Sequence, residues 1–332
     1  MPVDRRTAML ATLGAAIAGK TAAQTAPPTV KSDALPLVLS EPSETIDLWP
    51  KGAPGMPAMP PAELTIERSK DPARNDRAVT GVTAPRLAVF RPAKPNGASL
   101  IAFPGGGYVR MAIDKEGYEI ARLLAARGFT VFVLFYRLPG EGWADRADVP
   151  LQDAQRAMRL VRANARKYGL DPARVGAMGF SAGGHLCADL AARFAAKTYE
   201  PVDAADRLSA RPMIAAPIYP VVSMALPLAH PGSRSALLGP DPTLDAIRDH
   251  SPDLNIKPDT PPCFLCAAED DATVPVANTL LLHAALRAAN VPVELHLFEQ
   301  GGHGFGLRGV AGKPAAAWPE LFLAWAKTKG WS

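Results

Sequence analysis

The chain has 332 residues, 48% of them hydrophobic and 20% charged, with a net charge of +4. That length suffices for one large core-bearing domain or two smaller ones, and the basic residues are scattered without a Lys/Arg-rich run, which argues against a nucleic-acid partner. The three cysteines, Cys187, Cys263 and Cys266, cannot all pair within one chain, so the fold does not rest on a disulfide framework.

At the N-terminus, Asp4-Arg5-Arg6-Thr7 precedes an apolar stretch from Ala8 to Gly19, followed by Lys20 and the small residues Thr21-Ala22-Ala23. The stretch has 12 residues, whereas a bilayer span needs about 20. It has the make-up of an export signal, residues 1–23, and the paired arginines point to the twin-arginine type. The expected location is therefore periplasmic or secreted, with no stable membrane insertion after cleavage. Residues 24–40 read as a Pro/Thr-rich flexible tether, and residues 41–332 as one folded domain.

Ala78 to Val82 and Arg86 to Phe90 are short extended runs with a proline turn between them, as in a hairpin. Ser99 to Phe103 is an apolar run ending in Pro104-Gly105-Gly106-Gly107. Lys115 to Arg127 reads as a helix stopped by Gly128. Phe129 to Tyr136, β-branched and aromatic throughout, has the character of a strand buried on both faces. From Leu151 to Tyr168 the apolar residues fall on one helical stripe, and Gly169 can cap its end. A strand from Arg174 to Gly179 runs into a helix from Ala182 to Ala196. Met213 to Tyr219, Pro262 to Ala268 and Val291 to Phe298 are further strands, Val276 to Ala289 and Pro314 to Lys329 further helices. Val221 to Thr260 is Pro-rich and irregular, and reads as a small lid or a wall of the binding site. Strands alternating with helices predict an α/β fold with a mainly parallel central sheet and helices on both faces.

Gly179-Phe180-Ser181-Ala182-Gly183 is a G-x-S-x-G between a strand and a helix. A sharp turn there lifts the serine hydroxyl out of the sheet edge, and only glycines leave room for it. The glycines after Phe103 suit an oxyanion hole, with Gly106, Gly107 and Ala182 as backbone donors and Tyr108 as a further one. A phosphate loop does not fit, since neither G-x-G-x-x-G nor a Gly-Lys-Ser/Thr is present. In Glu269-Asp270-Asp271 the carboxylates follow a strand. Asp271 stands nearer the Val274-Pro275 turn and is the orienting acid, with Asp270 the alternative and helix capping the inert reading of either. His303, in Gly301-Gly302-His303-Gly304, follows the last strand and is placed to act as base. His185 is expected to pack or hydrogen-bond locally. Cys263 and Cys266 lie in an apolar run with no second pair to complete a metal site, and read as buried structural residues.

These motifs, in this order, resemble the α/β-hydrolase superfamily, and within it the bacterial acetyl-xylan-esterase-like enzymes. The likeness includes Leu48-Trp49-Pro50, Gly52 to Gly55, Pro104 to Tyr108, Tyr136 to Pro139, Asp153 to Ala157, Gly179 to Leu186, Asp271 with Val274-Pro275, and His303-Gly304-Phe305. Pro104 stands where related lipases carry the histidine of His-Gly-Gly-Gly, which argues against the hormone-sensitive-lipase-like branch. The resemblance implies a catalytic triad of Ser181, Asp271 and His303, and a serine esterase acting without metal or cofactor on an acetylated carbohydrate such as xylan or another small ester. The alternatives are a broader short-chain carboxylesterase or feruloyl esterase, a peptidase, or a non-catalytic binding protein on a hydrolase scaffold.

Overall fold

The computed structural model describes residues 41–331; the expected export signal, residues 1–23, and the expected tether, residues 24–40, lie outside the described residues. Eight strands build the central sheet: β1 (Glu44–Asp47), β4 (Arg86–Phe90), β5 (Ser99–Phe103), β7 (Thr130–Phe135), β8 (Val175–Phe180), β9 (Ala215–Ile218), β10 (Cys263–Ala268) and β11 (Val293–Phe298). Their spatial order is β1-β4-β7-β5-β8-β9-β10-β11. β4 pairs antiparallel with both β1 and β7, and every other pairing in this sheet is parallel. This is the α/β-hydrolase arrangement that the resemblance implies. β5, β7, β8, β9 and β10 are buried along their whole lengths, the condition that produces continuous apolar runs instead of alternation.

The expected hairpin between Ala78–Val82 and Arg86–Phe90 does not form. β3 (Arg77–Thr80) belongs to a separate three-stranded sheet with β2 (Leu64–Glu67) and β6 (Met111–Ala112). β4 has both edges taken, by β1 and by β7, so no ladder remains for β3. Between them Gly81 turns at φ +70° with its N–H on Glu141 Oε1, 2.7 Å away.

The helices are α1 (Glu119–Ala125), α2 (Val149–Ala163), α3 (Ala165–Tyr168), α4 (Ala182–Arg193), α5 (Pro231–Leu238), α6 (Leu244–Asp249), α7 (Ala277–Ala288) and α8 (Trp318–Thr328). A π-helical turn, Asp114–Tyr118, precedes α1. The long helix expected up to Tyr168 breaks at Asn164, whose side-chain amide donates back to Leu160 O; Gly169 caps α3 in the left-handed conformation, φ 65°. The stretch from Val221 to Thr260 is less irregular than expected, since it contains α5 and α6.

Several motifs behind the resemblance are structural. Arg137 and Asp153 form an ion pair with no exposed surface on either side chain. Trp49 Nε1 donates to the same carboxylate at 2.7 Å, and Arg156 Nε to Leu48 O at 2.9 Å. Desolvated charges persist only when paired and hydrogen-bonded like this, and the cluster clips the N-terminal segment onto α2. The three cysteines are buried and free.

Candidate active site

Strand β8 delivers Ser181 to the turn before α4. Ser181 has φ 55° and ψ −116°, a sparsely populated conformation for a residue with a side chain. The surrounding backbone enforces it. A Cβ on Gly179 would lie 1.9 Å from Gly183 O, and one on Gly183 would lie 2.1 Å from Phe103 O. The turn thus packs too tightly for any residue but glycine, and it presents the serine at the C-terminal ends of the parallel strands.

Loops after β10 and β11 bring the partners. His303 Nε2 lies 2.8 Å from Ser181 Oγ, and His303 Nδ1 lies 2.7 Å from Asp271 Oδ2. With Nδ1–H donating to the carboxylate, Nε2 is left to accept from the serine hydroxyl. Asp271 is fixed by two N–H groups on its other oxygen, Thr273 and Val274, both at 2.9 Å. Asp270 serves another purpose: its Oδ1 accepts from the N–H groups of Gly301 and Gly302, at 2.8 and 2.7 Å. Those two backbone bonds hold the exposed carboxyl of Asp270 below its ordinary range and hold the loop that carries His303.

The glycine turn after β5 packs against the serine turn. A Cβ on Gly105 would sit 2.4 Å from Phe180 O and 3.0 Å from Ser181 Cβ, and Gly106, at φ 135°, would drive one into Arg110 O. The N–H groups of Gly106, Gly107 and Ala182 meet no acceptor among the described residues, and Gly106, Gly107 and Ser181 line one cleft. Ala182 N–H also opens α4, where helix N-termini favour negative charge. Tyr108 does not line that cleft; its ring is buried and its hydroxyl lies 2.8 Å from His185 Nδ1. His185 meets His250 O through Nε2, and burial pushes its pKa down to about 4, so it packs as a neutral residue.

Three residues of the site carry no sequence signal of their own. Glu116, in the π-helical turn, is buried between the two loops. Its Oε2 accepts from Gly105 N–H at 2.9 Å and its Oε1 from the Tyr219 hydroxyl at 3.0 Å. The same Tyr219 oxygen accepts from Gly306 N–H at 3.1 Å, and the Tyr219 ring meets His303 edge-on, centroids 5.4 Å apart. Burial holds the Glu116 carboxyl above its usual range, partly offset by the Tyr219 hydrogen bond. His230, from the stretch expected to wall the site, lines the cleft as well, and burial together with nearby His303 lowers its pKa.

The cleft has a volume of about 390 Å³. A larger one, about 1070 Å³, lies between Trp49 and the loop at Thr198–Val202, but its described lining holds no serine, cysteine or histidine. Among the described residues no group of three or more metal-ligating side chains comes together, and no helix is long and apolar enough to cross a membrane.

The BD-FAE family model matches residues 87–286, and the dienelactone hydrolase family model residues 247–331. The acetylxylan esterase of Xylanibacter ruminicola is 34% identical over 233 residues, which cover 67% of this chain and 44% of that protein. Endo-1,4-beta-xylanase B of Butyrivibrio fibrisolvens is 37% identical over 205 residues, 62% of this chain and 32% of that one. The chain thus spans less than half the length of these two relatives. Among solved structures, the acetyl ester-xyloside bifunctional hydrolase from Caldicellulosiruptor lactoaceticus superposes with a TM-score of 0.69 at 34% identity, covering 82% of this chain and 99% of that one.

Proposed function

The chain belongs to the BD-FAE family, and on that premise we propose that it is a serine carboxylester hydrolase that removes acetyl groups from acetylated xylan or its oligosaccharides. The observation that carries the reading is the unbroken line Ser181–His303–Asp271 beside three backbone donors with no acceptor among the described residues. Two relatives named for acetyl ester and xylan chemistry support the substrate.

In this mechanism Ser181 Oγ attacks the ester carbonyl carbon while its proton passes to His303 Nε2. The carbonyl electron pair moves onto oxygen, where the N–H groups of Gly106, Gly107 and Ala182 receive it. Each such donor is worth roughly 10²–10³ in rate. The C–O bond to the alcohol then breaks, and His303 gives its proton to the leaving oxygen. Water attacks the acetyl-enzyme, its proton goes to His303 and on to Ser181 Oγ, and acetate departs. Asp271 keeps the imidazole in the productive tautomer and offsets its charge. The steps require neither metal nor organic cofactor.

We also propose a periplasmic or secreted location, supported by the composition of residues 4–23. A chromogenic acyl series tests the acyl preference. kcat/KM is expected to fall about tenfold or more from acetyl to octanoyl; equal or rising values would replace the acetyl preference with a broader carboxylesterase.

A further inference from the structure

We propose that the cleft selects acetyl esters whose alcohol portion carries a carboxylate, a uronate-bearing acetylated oligosaccharide being the class its chemistry fits. This rests on the esterase reading. Three cations, Arg68, Arg110 and Lys115, line the cleft with Ser181 and His303. Arg110 is exposed and Lys115 half-buried, and neither side chain makes a hydrogen bond or ion pair among the described residues. Arg68 is held in place by Asp76, through Nε to the backbone oxygen at 3.0 Å and Nη2 to the carboxylate at 2.9 Å. That carboxylate is shared with Arg308 Nη2, also at 2.9 Å, while Arg308 Nη1 meets Glu119 Oε1 at 3.3 Å.

The two carboxylates beside the cleft are turned to other partners, Asp271 to His303, and Glu116 to the Gly105 N–H and the Tyr219 hydroxyl, and neither meets Arg110 or Lys115. Like charges gathered at one opening repel each other, and an anionic ligand relieves that repulsion and is drawn in by the field.

The geometry also says which part of the ester bears the charge. Arg110 lies over the oxyanion turn, its Cγ 3.0 Å from where a Cβ on Gly106 would be. Lys115 lies against the histidine loop, its Nζ 3.8 Å from the corresponding point on Gly304. His303 protonates the leaving alcohol, so the alcohol departs on the side where Lys115 stands. The acetyl group offers these cations nothing; a carboxylate on the sugar offers them a partner.

Binding to the full chain carrying Ser181→Ala tests this without turnover, by calorimetry with two acetylated xylo-oligosaccharides of equal length, one bearing a uronate branch and one neutral. Two exposed charge contacts together are worth a factor of roughly three to ten. The uronate ligand should bind tighter by that factor at low salt, and the ratio should shrink at high salt. Adding Arg110→Gln and Lys115→Gln should bring it close to one. Equal affinities at low salt, or a ratio unmoved by both salt and the double substitution, would overturn the proposal. Turnover of the same two compounds by the unsubstituted chain is read separately: hydrolysis of neither would count against the esterase reading, while the binding ratio still decides the selection of charge.

Discussion

Asp270 and Asp271 are neighbours in the chain and face opposite tasks: Asp271 Oδ2 meets His303 Nδ1 at 2.7 Å, whereas Asp270 Oδ1 takes the N–H groups of Gly301 and Gly302. One carboxylate orients the imidazole and the other anchors the loop beneath it. Asp271→Asn should therefore lower kcat by roughly 10³–10⁴-fold with the fold intact, because an amide favours the wrong tautomer. Asp270→Asn keeps an oxygen acceptor for both glycines and should change kcat by less than about tenfold. Steady-state kinetics on a chromogenic acetate, with circular dichroism as the folding control, distinguishes the two. The reverse ranking would make Asp270 the orienting acid.

Glu116 ties the glycine turn to the histidine loop through Tyr219. Tyr219→Phe removes the hydroxyl that donates to Glu116 and accepts from Gly306, so His303 should lose its fixed position. A small misplacement of a catalytic group is worth roughly 10- to 100-fold in rate, and the loss should fall on kcat more than on KM. Glu116→Gln, which retains one acceptor oxygen, should be milder. Unchanged kcat in both variants would reduce this bridge to packing.

Much of the site was legible because its signals are local. Ser181 is marked by a strand, a tight glycine turn and a helix within a few residues, and the steric need for glycine at Gly179 and Gly183 is met in the structure. β4 and β5 follow their apolar runs residue for residue. What escaped depends on distant partners. Glu116 and Tyr219 lie 103 residues apart, and nothing near either one marks it. β1 is half exposed, β2 fully exposed and β6 only two residues long, so none has a strong burial pattern. The hairpin reading erred because local turn chemistry says that a chain reverses, but not which edge of which sheet each arm then joins.

Glu119 links stability to pH. Burial raises its pKa from 4.5 to about 7, against the pull of Arg308. The folded state therefore holds a proton that the unfolded chain releases at lower pH. The favourable contribution is fully present below pH 4.5 and is lost as pH rises toward about 7. A gap of that size is worth at most about 3 kcal/mol. Glu119→Gln removes the dependence, so denaturant titrations of the variant and the parent should converge near pH 4.5 and separate in favour of the variant near pH 8. A constant difference across that range would contradict the buried-carboxyl explanation.

On the proposed function, Ser181 activated by His303 deacetylates xylan. Acetate release from acetylated xylan, measured side by side for the chain and for Ser181→Ala, tests it most directly. Steady release by the chain is expected, with a loss in the variant of roughly 10³-fold or more, to near background. Release that survives the substitution, or no release from xylan by a folded chain that still cleaves a chromogenic acetate, would contradict it.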